Sequence, residues 1–288
     1  MIQFPHILVP TDFSDFSRRA LDHAIALARW YDSRVTVLHV VPPMRYLKGP
    51  IIEHVPDPPL RDRSFDELLR FKEPAVASGV SIDPVVIEEI PTRGILERAQ
   101  ALPADLVVMG THGRGGFDRW ALGSVTEKVI RKAPCPVLTI SNPAREAQPR
   151  PLFDEILCAL DFSESSMKAL DYALSLAQQA DARLTLLHVL EWLPNLARLK
   201  ESVEQDALRQ LHQVVPESAR NWSEPAEMVT AGKAYLEILR VAQVEGAELI
   251  VLGVQGKGAI DRMFFGSTAH HVVREAACPV LSVRIAPA

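Results

Sequence analysis

Two glycine-lined segments carry the residue types and spacing best suited to chemistry. One runs from Gly110 through Gly113 and Arg114 to Gly123 and Ser124, and the other from Gly253 through Gly256 and Lys257 to Gly266 and Ser267. Both have the form G-x2-G-x9-G-S. Glycine permits backbone angles closed to other residues and lets a ligand approach the chain closely. A Gly-Ser pair that opens a helix puts free amides and the positive end of the helix dipole in one place, which suits a phosphate. The serine hydroxyl can serve as helix N-cap and as a phosphate donor. Arg114 and Lys257, at the same place in both loops, can add charge beside a γ-phosphate. Neither segment is a G-x4-G-K-[ST] loop, and no G-x-G-x-x-G follows the first strand, which disfavours P-loop ATPases and NAD enzymes.

The elements that must position these loops come in duplicate. The run His-Ile-Leu-Val-Pro-Thr-Asp-Phe-Ser at 6–14 returns as Glu-Ile-Leu-Cys-Ala-Leu-Asp-Phe-Ser at 155–163, and Val-Thr-Val-Leu-His-Val at 35–40 returns as Leu-Thr-Leu-Leu-His-Val at 184–189. Asp-Leu-Val-Val-Met-Gly at 105–110 matches Glu-Leu-Ile-Val-Leu-Gly at 248–253, and Ala-Pro-Cys-Pro-Val at 133–137 matches Ala-Ala-Cys-Pro-Val at 276–280. The first two pairs are offset by 149 positions and the last two by 143, so the first half carries about six extra residues, for which the Pro-rich stretch 41–59 is the natural home. Residues 142–151 are polar and Pro-punctuated and read as a linker. Two domains, 1–142 and 151–288, are expected.

Within the first half, apolar runs predict strands over 7–10, 35–40, 85–90, 106–109 and 136–140. Helical spacing, with Leu21, Ala24, Ile25 and Ala28 on one face of the first helix, predicts helices over 15–30, 65–76, 94–101 and 124–131. The second half follows the same order, with a longer helix around 196–215. Apolar strands with little alternation, separated by helices, indicate a five-stranded parallel sheet covered on both faces in each half, an α/β fold. In such sheets ligands sit beyond the carboxyl ends of the strands, where the strand order reverses.

Composition removes several classes. The 288 residues carry a formal charge of −5, which leaves no surplus of Lys and Arg for nucleic-acid binding. No apolar run approaches the roughly 20 residues that span a bilayer. The first residues lack a basic segment followed by an apolar one, so no secretory signal is read there. Three cysteines without a CxxC pair argue for a reducing compartment and against a zinc site. A cytoplasmic protein is expected.

With these motifs in place, the sequence resembles a tandem universal stress protein of the UspA superfamily, nearly end to end in both halves. The resemblance rests on the G-x2-G-x9-G-S signature, the Pro-Thr-Asp-Phe-Ser opening, the His-Val ending of the second strand and the Cys-Pro-Val before the fifth. Similarity to the ATP-binding branch implies strand order 3-2-1-4-5 with the nucleotide between strands 1 and 4. It implies that Asp12 and Asp161 bond the ribose or adenine side, and that the backbone at Val40 and Val189 holds the adenine. Gly113, Gly123 and Ser124, with Gly256, Gly266 and Ser267, would hold the phosphates, and Met109 and Leu252 would line the pocket. Pro10 and Thr11 in the first half become Ala159 and Leu160 in the second, a lost hydroxyl that bears on affinity. Gly110, Gly253, Arg114, Lys257, Val125 and Thr268 complete the candidate ligand residues; no catalytic residue and no metal ligand is assigned.

The ligand so implied is ATP, with Mg²⁺ or Mn²⁺ on the triphosphate, in a stress-response regulator with little or no turnover. A slow ATP hydrolase or phosphotransfer enzyme, with Asp12 or His112 positioning water, and a scaffold working through protein contacts stay open. Family members pair through their last strands, so residues 137–140 and 280–283 are expected to form an intrachain pseudo-dimer, and a homodimer of whole chains is compatible with this. Other residues have plainer readings beside the functional ones. Asp12 and Asp161 can be helix N-caps, with Ser14 and Ser163 as rivals. His39 and His188 read as hydrogen-bonded core residues, His112 as a loop residue beside the phosphates, and Cys135 and Cys278 as small buried hydrophobes. His270 and His271 lack a third ligand at metal spacing. The 41–59 stretch is either a lid or partner-binding loop or a passive insertion.

Overall fold

Each half begins with a strand buried on both faces and a helix launched by a serine cap. In the computed structural model, which describes residues 1–43, 60–76, 79–113, 122–141, 153–191, 200–220, 224–255 and 265–285, the chain divides into two units, Gln3–Pro151 and Leu152–Ala288, the latter with Met1–Ile2. The linker at 142–151, most of the 41–59 stretch, and Arg114, Gly256 and Lys257 lie outside the described residues.

In the first unit, β1 (His6–Thr11) leads to α1 (Asp15–Tyr31), which presents Ala20, Leu21, Ala24, Leu27 and Ala28 to the core at helical spacing. Leu27 takes the place expected of Ile25, which stays half-buried. So many alanines on one face let the helix lie close against the sheet. The helix stops at Asp32, which adopts the left-handed conformation (φ 53°, ψ 44°) and returns its amide to the Ala28 carbonyl. Then come β2 (Arg34–Val41), α2 (Leu60–Val76), β3 (Ile82–Glu88), α3 (Pro91–Ala101), β4 (Leu106–Gly110), α4 (Ser124–Lys132) and β5 (Val137–Ile140).

Several boundaries differ from the sequence expectation: α2 starts at Leu60 rather than residue 65, and two further differences involve proline. β3 starts at Ile82 and runs through Pro84, ending at Glu88 rather than residue 90. A proline lacks the amide a central strand needs, but β3 is an edge strand whose one neighbour is β2, and there a proline costs no ladder bond on the open side. α3 starts at Pro91, three residues before Gly94, because a proline fits the first helical turn, where its missing amide would be unbonded anyway.

The first unit's strands are all parallel, in the order β3-β2-β1-β4-β5. α1 packs on α2 and α3 packs on α4, as right-handed crossovers running first one way and then the other require. The direction reverses between β1 and β4, which opens a crevice at their carboxyl ends.

The second unit repeats this with β6 (Glu155–Leu160), α5 (Glu164–Ala180), β7 (Arg183–Leu190), α6 (Lys200–Val214), the short α7 (Glu217–Arg220), β8 (Ala226–Ala231), α8 (Ala234–Val244), β9 (Leu249–Gly253), α9 (Ser267–Glu275) and β10 (Val280–Val283). Its order is β8-β7-β6-β9-β10, also parallel. Of the helix expected around 196–215, residues 200–214 form α6 and residues 196–199 lie outside the described residues; Pro216 separates α6 from the short α7. No helix among the described residues is long and apolar enough to cross a membrane.

None of the three cysteines is in a disulfide; Cys158 and Cys278 are buried and Cys135 is half-buried. Burial, with a smaller push from Asp105, moves the Cys135 thiol up to about 12, and burial pushes Cys158 up as well. A thiol displaced from about 9 to about 12 holds roughly a thousandfold less thiolate at pH 8. Iodoacetamide at pH 8 is therefore expected to label the folded chain at least about a hundredfold more slowly than the urea-unfolded chain, followed by mass spectrometry. Rapid labelling of Cys135 in the folded chain would contradict its burial.

Candidate functional site

The turn that leaves the first strand of each unit holds a carboxylate at the crevice. Asp12 Oδ1 accepts hydrogen bonds from the Ser14 amide (3.1 Å) and the Ser14 hydroxyl (2.6 Å). Asp161 Oδ1 does the same with the Ser163 amide (3.0 Å) and hydroxyl (2.5 Å). The helix caps are Ser14 and Ser163, whose side chains accept from the amides of Ser17 and Ser166. The aspartates thus brace the caps and are not caps themselves.

Between aspartate and serine the chain takes a conformation that bulky residues rarely adopt: φ is 64° at Phe13 and 59° at Phe162. Such backbone costs on the order of 1–3 kcal/mol and persists where surroundings enforce it. Here the enforcing groups are aromatic. The Phe13 ring lies 4.4 Å from the His39 ring and 5.6 Å from Phe71, and Phe162 lies 4.7 Å from His188. His39 Nδ1 donates to the Thr11 carbonyl (2.8 Å) and His188 Nδ1 to the Leu160 carbonyl (2.7 Å), so each histidine ties the second strand to the turn. A carbonyl only accepts, which places the proton on Nδ1.

Thr11 is buried, and its hydroxyl donates to Ser17 Oγ (3.0 Å) and accepts from the Phe13 amide (3.0 Å). Its replacement by Leu160 therefore removes these bonds within the turn. Pro10, Ala159 and Leu160 are likewise buried at the strand ends.

The glycines divide into three kinds. Gly110 and Gly253 serve packing: a Cβ on Gly110 would fall 2.7 Å from Phe16 Cβ, and one on Gly253 would fall 2.6 Å from the Ser166 nitrogen. Neither has positive φ. They seat the first helix of each unit, and Gly253 lines the cavity described below as well. Gly113 keeps space at the carboxylate, since a Cβ there would lie 2.4 Å from Asp12 Oδ2. Gly123 and Gly266 are the N-caps of α4 and α9, with no side-chain cap bond, and their amides return to the carbonyls of Thr111 (2.9 Å) and Val254 (3.0 Å). Ser124 and Ser267 are thus the first helical residues rather than caps; both are exposed, with Val125 and Thr268 half-buried behind them. Glycine caps leave the first-turn amides without a side-chain acceptor.

His112 and Gln255 occupy equivalent places and hold the loop to the first helix by different means. The His112 ring sits 5.1 Å from that of Phe16, whereas the Gln255 carbonyl accepts from the Ser165 hydroxyl.

The backbone of the second strand faces the crevice at the expected residues. Arg34 donates its amide toward β1, at Pro5, while Val41 accepts from Glu89 on the other side. Successive residues of a strand turn their amides to alternate neighbours, so Val40 faces β1, beyond the last paired residue Thr11. Arg183, which bonds Asp154, and Leu190, which bonds Gly232, put Val189 toward β6 by the same alternation.

In the second unit these parts enclose a cavity of about 500 Å³, within the range of small-molecule sites. Its lining brings together the expected Ala159, Leu160, Asp161, Val189, Leu252 and Gly253 with Gly266, Ser267 and Thr268. It also includes residues the sequence did not single out: Ser166, Glu191, Val254, and Ala234 and Ile238 one turn apart on α8. Aligning the two halves would have flagged Glu191, which stands where the first half has Pro42. In the first unit Met109 is buried on β4 and Val40 on β2. No group of three or more His, Cys, Asp or Glu side chains placed to hold a metal occurs among the described residues.

The profile of the Universal stress protein family matches residues 3–141 and again 152–284. A universal stress protein of Methanocaldococcus jannaschii is 36% identical over 149 residues, covering 50% of this chain and 85% of that protein. One from Mycolicibacterium smegmatis is 24% identical over 298 residues and 96% of both chains. The crystal structure of a universal stress protein from Archaeoglobus fulgidus superposes with a TM-score of 0.72 at 23% identity, covering 99% of this chain and 97% of that one. The chain belongs to the universal stress protein family and carries the family's domain twice.

Proposed function

We propose that the chain is a stress-response regulator that binds an adenine nucleotide, with the second unit as the better defined site. The observation that carries this reading is the cavity with a bare helix amino end at one side and the backbone of Val189 at the other. The triphosphate would meet the first-turn amides of α9, where unbonded donors and the helix dipole favour an anion. The base would pair with the amide and carbonyl of Val189, and Asp161 stands between, facing the ribose. A divalent cation would enter on the triphosphate. Asp161 is oriented by Ser163, which supports a positioning role and little or no turnover. The equivalent parts of the first unit, Asp12, Val40, Gly113, Gly123 and Ser124, support a second site of the same design.

The test is calorimetric titration of protein stripped of ligand with Mg·ATP, alongside melting curves. Saturable binding is expected, with stabilisation of about 2.7 kcal/mol at a hundredfold excess over Kd and ATP turnover at background. Absence of both heat and melting shift at millimolar ATP would remove the nucleotide reading.

A further inference from the structure

The Phe13 turn of the first unit is gripped from α2 as well as from β2, and the second unit lacks the residue types for that grip. Phe71, buried on α2, sets its ring edge-on to Phe13 (5.6 Å, interplanar angle 73°), in addition to the His39 contact from β2. Phe71 is itself held. The Arg18 guanidinium carbon lies 3.7 Å from the centre of its ring, and Arg18 Nη1 donates to the Phe71 carbonyl. A cation on a ring face and an edge-on aromatic pair are both directional, so they fix the ring more narrowly than burial alone. Leu68 and Leu211, both fully buried, mark the same helix position in the two units; by that alignment Val214 stands for Phe71, and Met167 stands for Arg18. Valine and methionine form neither a cation contact nor an aromatic pair.

We propose that Phe71, locked by Arg18, is a positioning residue for Asp12, so that ligand affinity in the first unit depends on α2 while that in the second does not. The inference rests on the nucleotide reading of the first unit above. Phe13 joins Asp12 to Ser14, and its φ of 64° persists only while its surroundings enforce it. Asp12 Oδ1 is bonded to the amide and hydroxyl of Ser14, on the far side of that strained residue. Rotation at Phe13 therefore turns the carboxylate relative to the cap of α1, and away from the ribose it would face.

Hydrogen exchange read by mass spectrometry resolves the two units within one full chain. With increasing Mg·ATP, peptides spanning residues 9–17 report the first site and peptides spanning 158–166 the second. Phe71→Leu keeps the buried surface apolar and removes both contacts. It should shift the first midpoint about tenfold to higher ATP and leave the second in place. Arg18→Met, which copies the second unit's residue and leaves the core filled, should shift the first midpoint the same way by about threefold. In an Asp12→Ala background, Phe71→Leu should move that midpoint by no more than about twofold, because the positioning acts through the carboxylate. A first midpoint untouched by both substitutions, or weakened equally with and without Asp12, would overturn the positioning role while leaving nucleotide binding intact. Absence of ATP-dependent protection in both units of the unsubstituted chain would overturn the positioning role and the nucleotide reading together.

Discussion

Replacing Ser267 by Asp is expected to abolish phosphate binding in the second unit while leaving the fold as stable as before, or more so. Ser267 is the first residue of α9, is exposed, and follows a glycine cap that offers its amides no side-chain acceptor. A carboxylate in the first helical turn interacts favourably with the dipole, worth about 0.3–1 kcal/mol. The same charge would occupy the position assigned to the triphosphate. Two unit charges about 4 Å apart repel by about 4 kcal/mol at an effective dielectric of about 20, so ATP affinity should fall at least about a hundredfold. Ser267→Ala, which adds no charge, should bind within a few-fold of the original chain. Ser124→Asp tests the first unit in the same way, and the double variant should bind no nucleotide at all. Titration calorimetry paired with melting curves separates the two effects. If Ser267→Asp bound ATP normally, the phosphates would have to lie elsewhere than at α9, whatever else the cavity holds.

The opposite signs of these two effects depend on a cap assignment that local sequence did not resolve. Gly-Ser before a helix permits either residue to be the cap, because serine is a strong cap and glycine a fair one. The structure chooses Gly123 and Gly266 because their amides close the loop onto Thr111 and Val254, which starts each helix at the serine, one residue earlier than a serine cap would. The Asp-Phe-Ser turns carried the same ambiguity, and there serine won. Phe13 and Phe162 take positive φ, which frees the aspartates to brace the caps from outside the helix. Nothing in a single sequence announces a phenylalanine in a left-handed conformation. Its support comes from His39 and His188 one strand away, and from Phe71 on α2 in the first unit.

Other parts were open to reading because their physics is local. Strands such as Val35–Val40, buried on both faces, show as apolar runs without alternation, and the helices show as a 3.6-residue rhythm. The duplication then made the parallel strand order a question of two copies, with the same order found in each. Local reading failed where sheet position decides. Pro84 looks like a strand breaker until β3 is known to be at the edge. Glu191 escaped notice because its importance lies in reaching across to Ala234, 43 residues away.

Gly253 lines the cavity and also seats the first helix of its unit, and the second role yields the largest expected change in stability. Its place at a strand end before a glycine-rich loop suggested a residue kept small for a ligand. The packing beneath it is equally demanding, since an added Cβ would lie 2.5 Å from Ser165 Oγ, 2.6 Å from the Ser165 carbonyl carbon and 2.6 Å from the Ser166 nitrogen. A hydroxyl can rotate away, but the other two atoms belong to the backbone of α5. That backbone is held in turn, since the Ser166 amide donates to the cap oxygen of Ser163 and α5 packs along β9. Relief requires moving the amino end of α5, and with it the turn that presents Asp161. Gly253→Ala is therefore expected to cost about 3 kcal/mol, the upper part of the range for overpacked cores. It should weaken nucleotide binding in the second unit as a consequence. Gly110→Ala should act similarly in the first unit through Phe16, where a Cβ would meet the side-chain Cβ at 2.7 Å and the carbonyl carbon at 3.0 Å. Gly266→Ala is the control within the same loop. Among the described residues its Cβ would meet only the Val254 carbonyl, at an ordinary 3.5 Å, so the cost should be that of exchanging a glycine cap for alanine, about 1 kcal/mol or less. Urea unfolding of the three variants, followed by circular dichroism, ranks them. If Gly253→Ala unfolded with Gly266→Ala, the first helix could not be seated on the fourth strand as described.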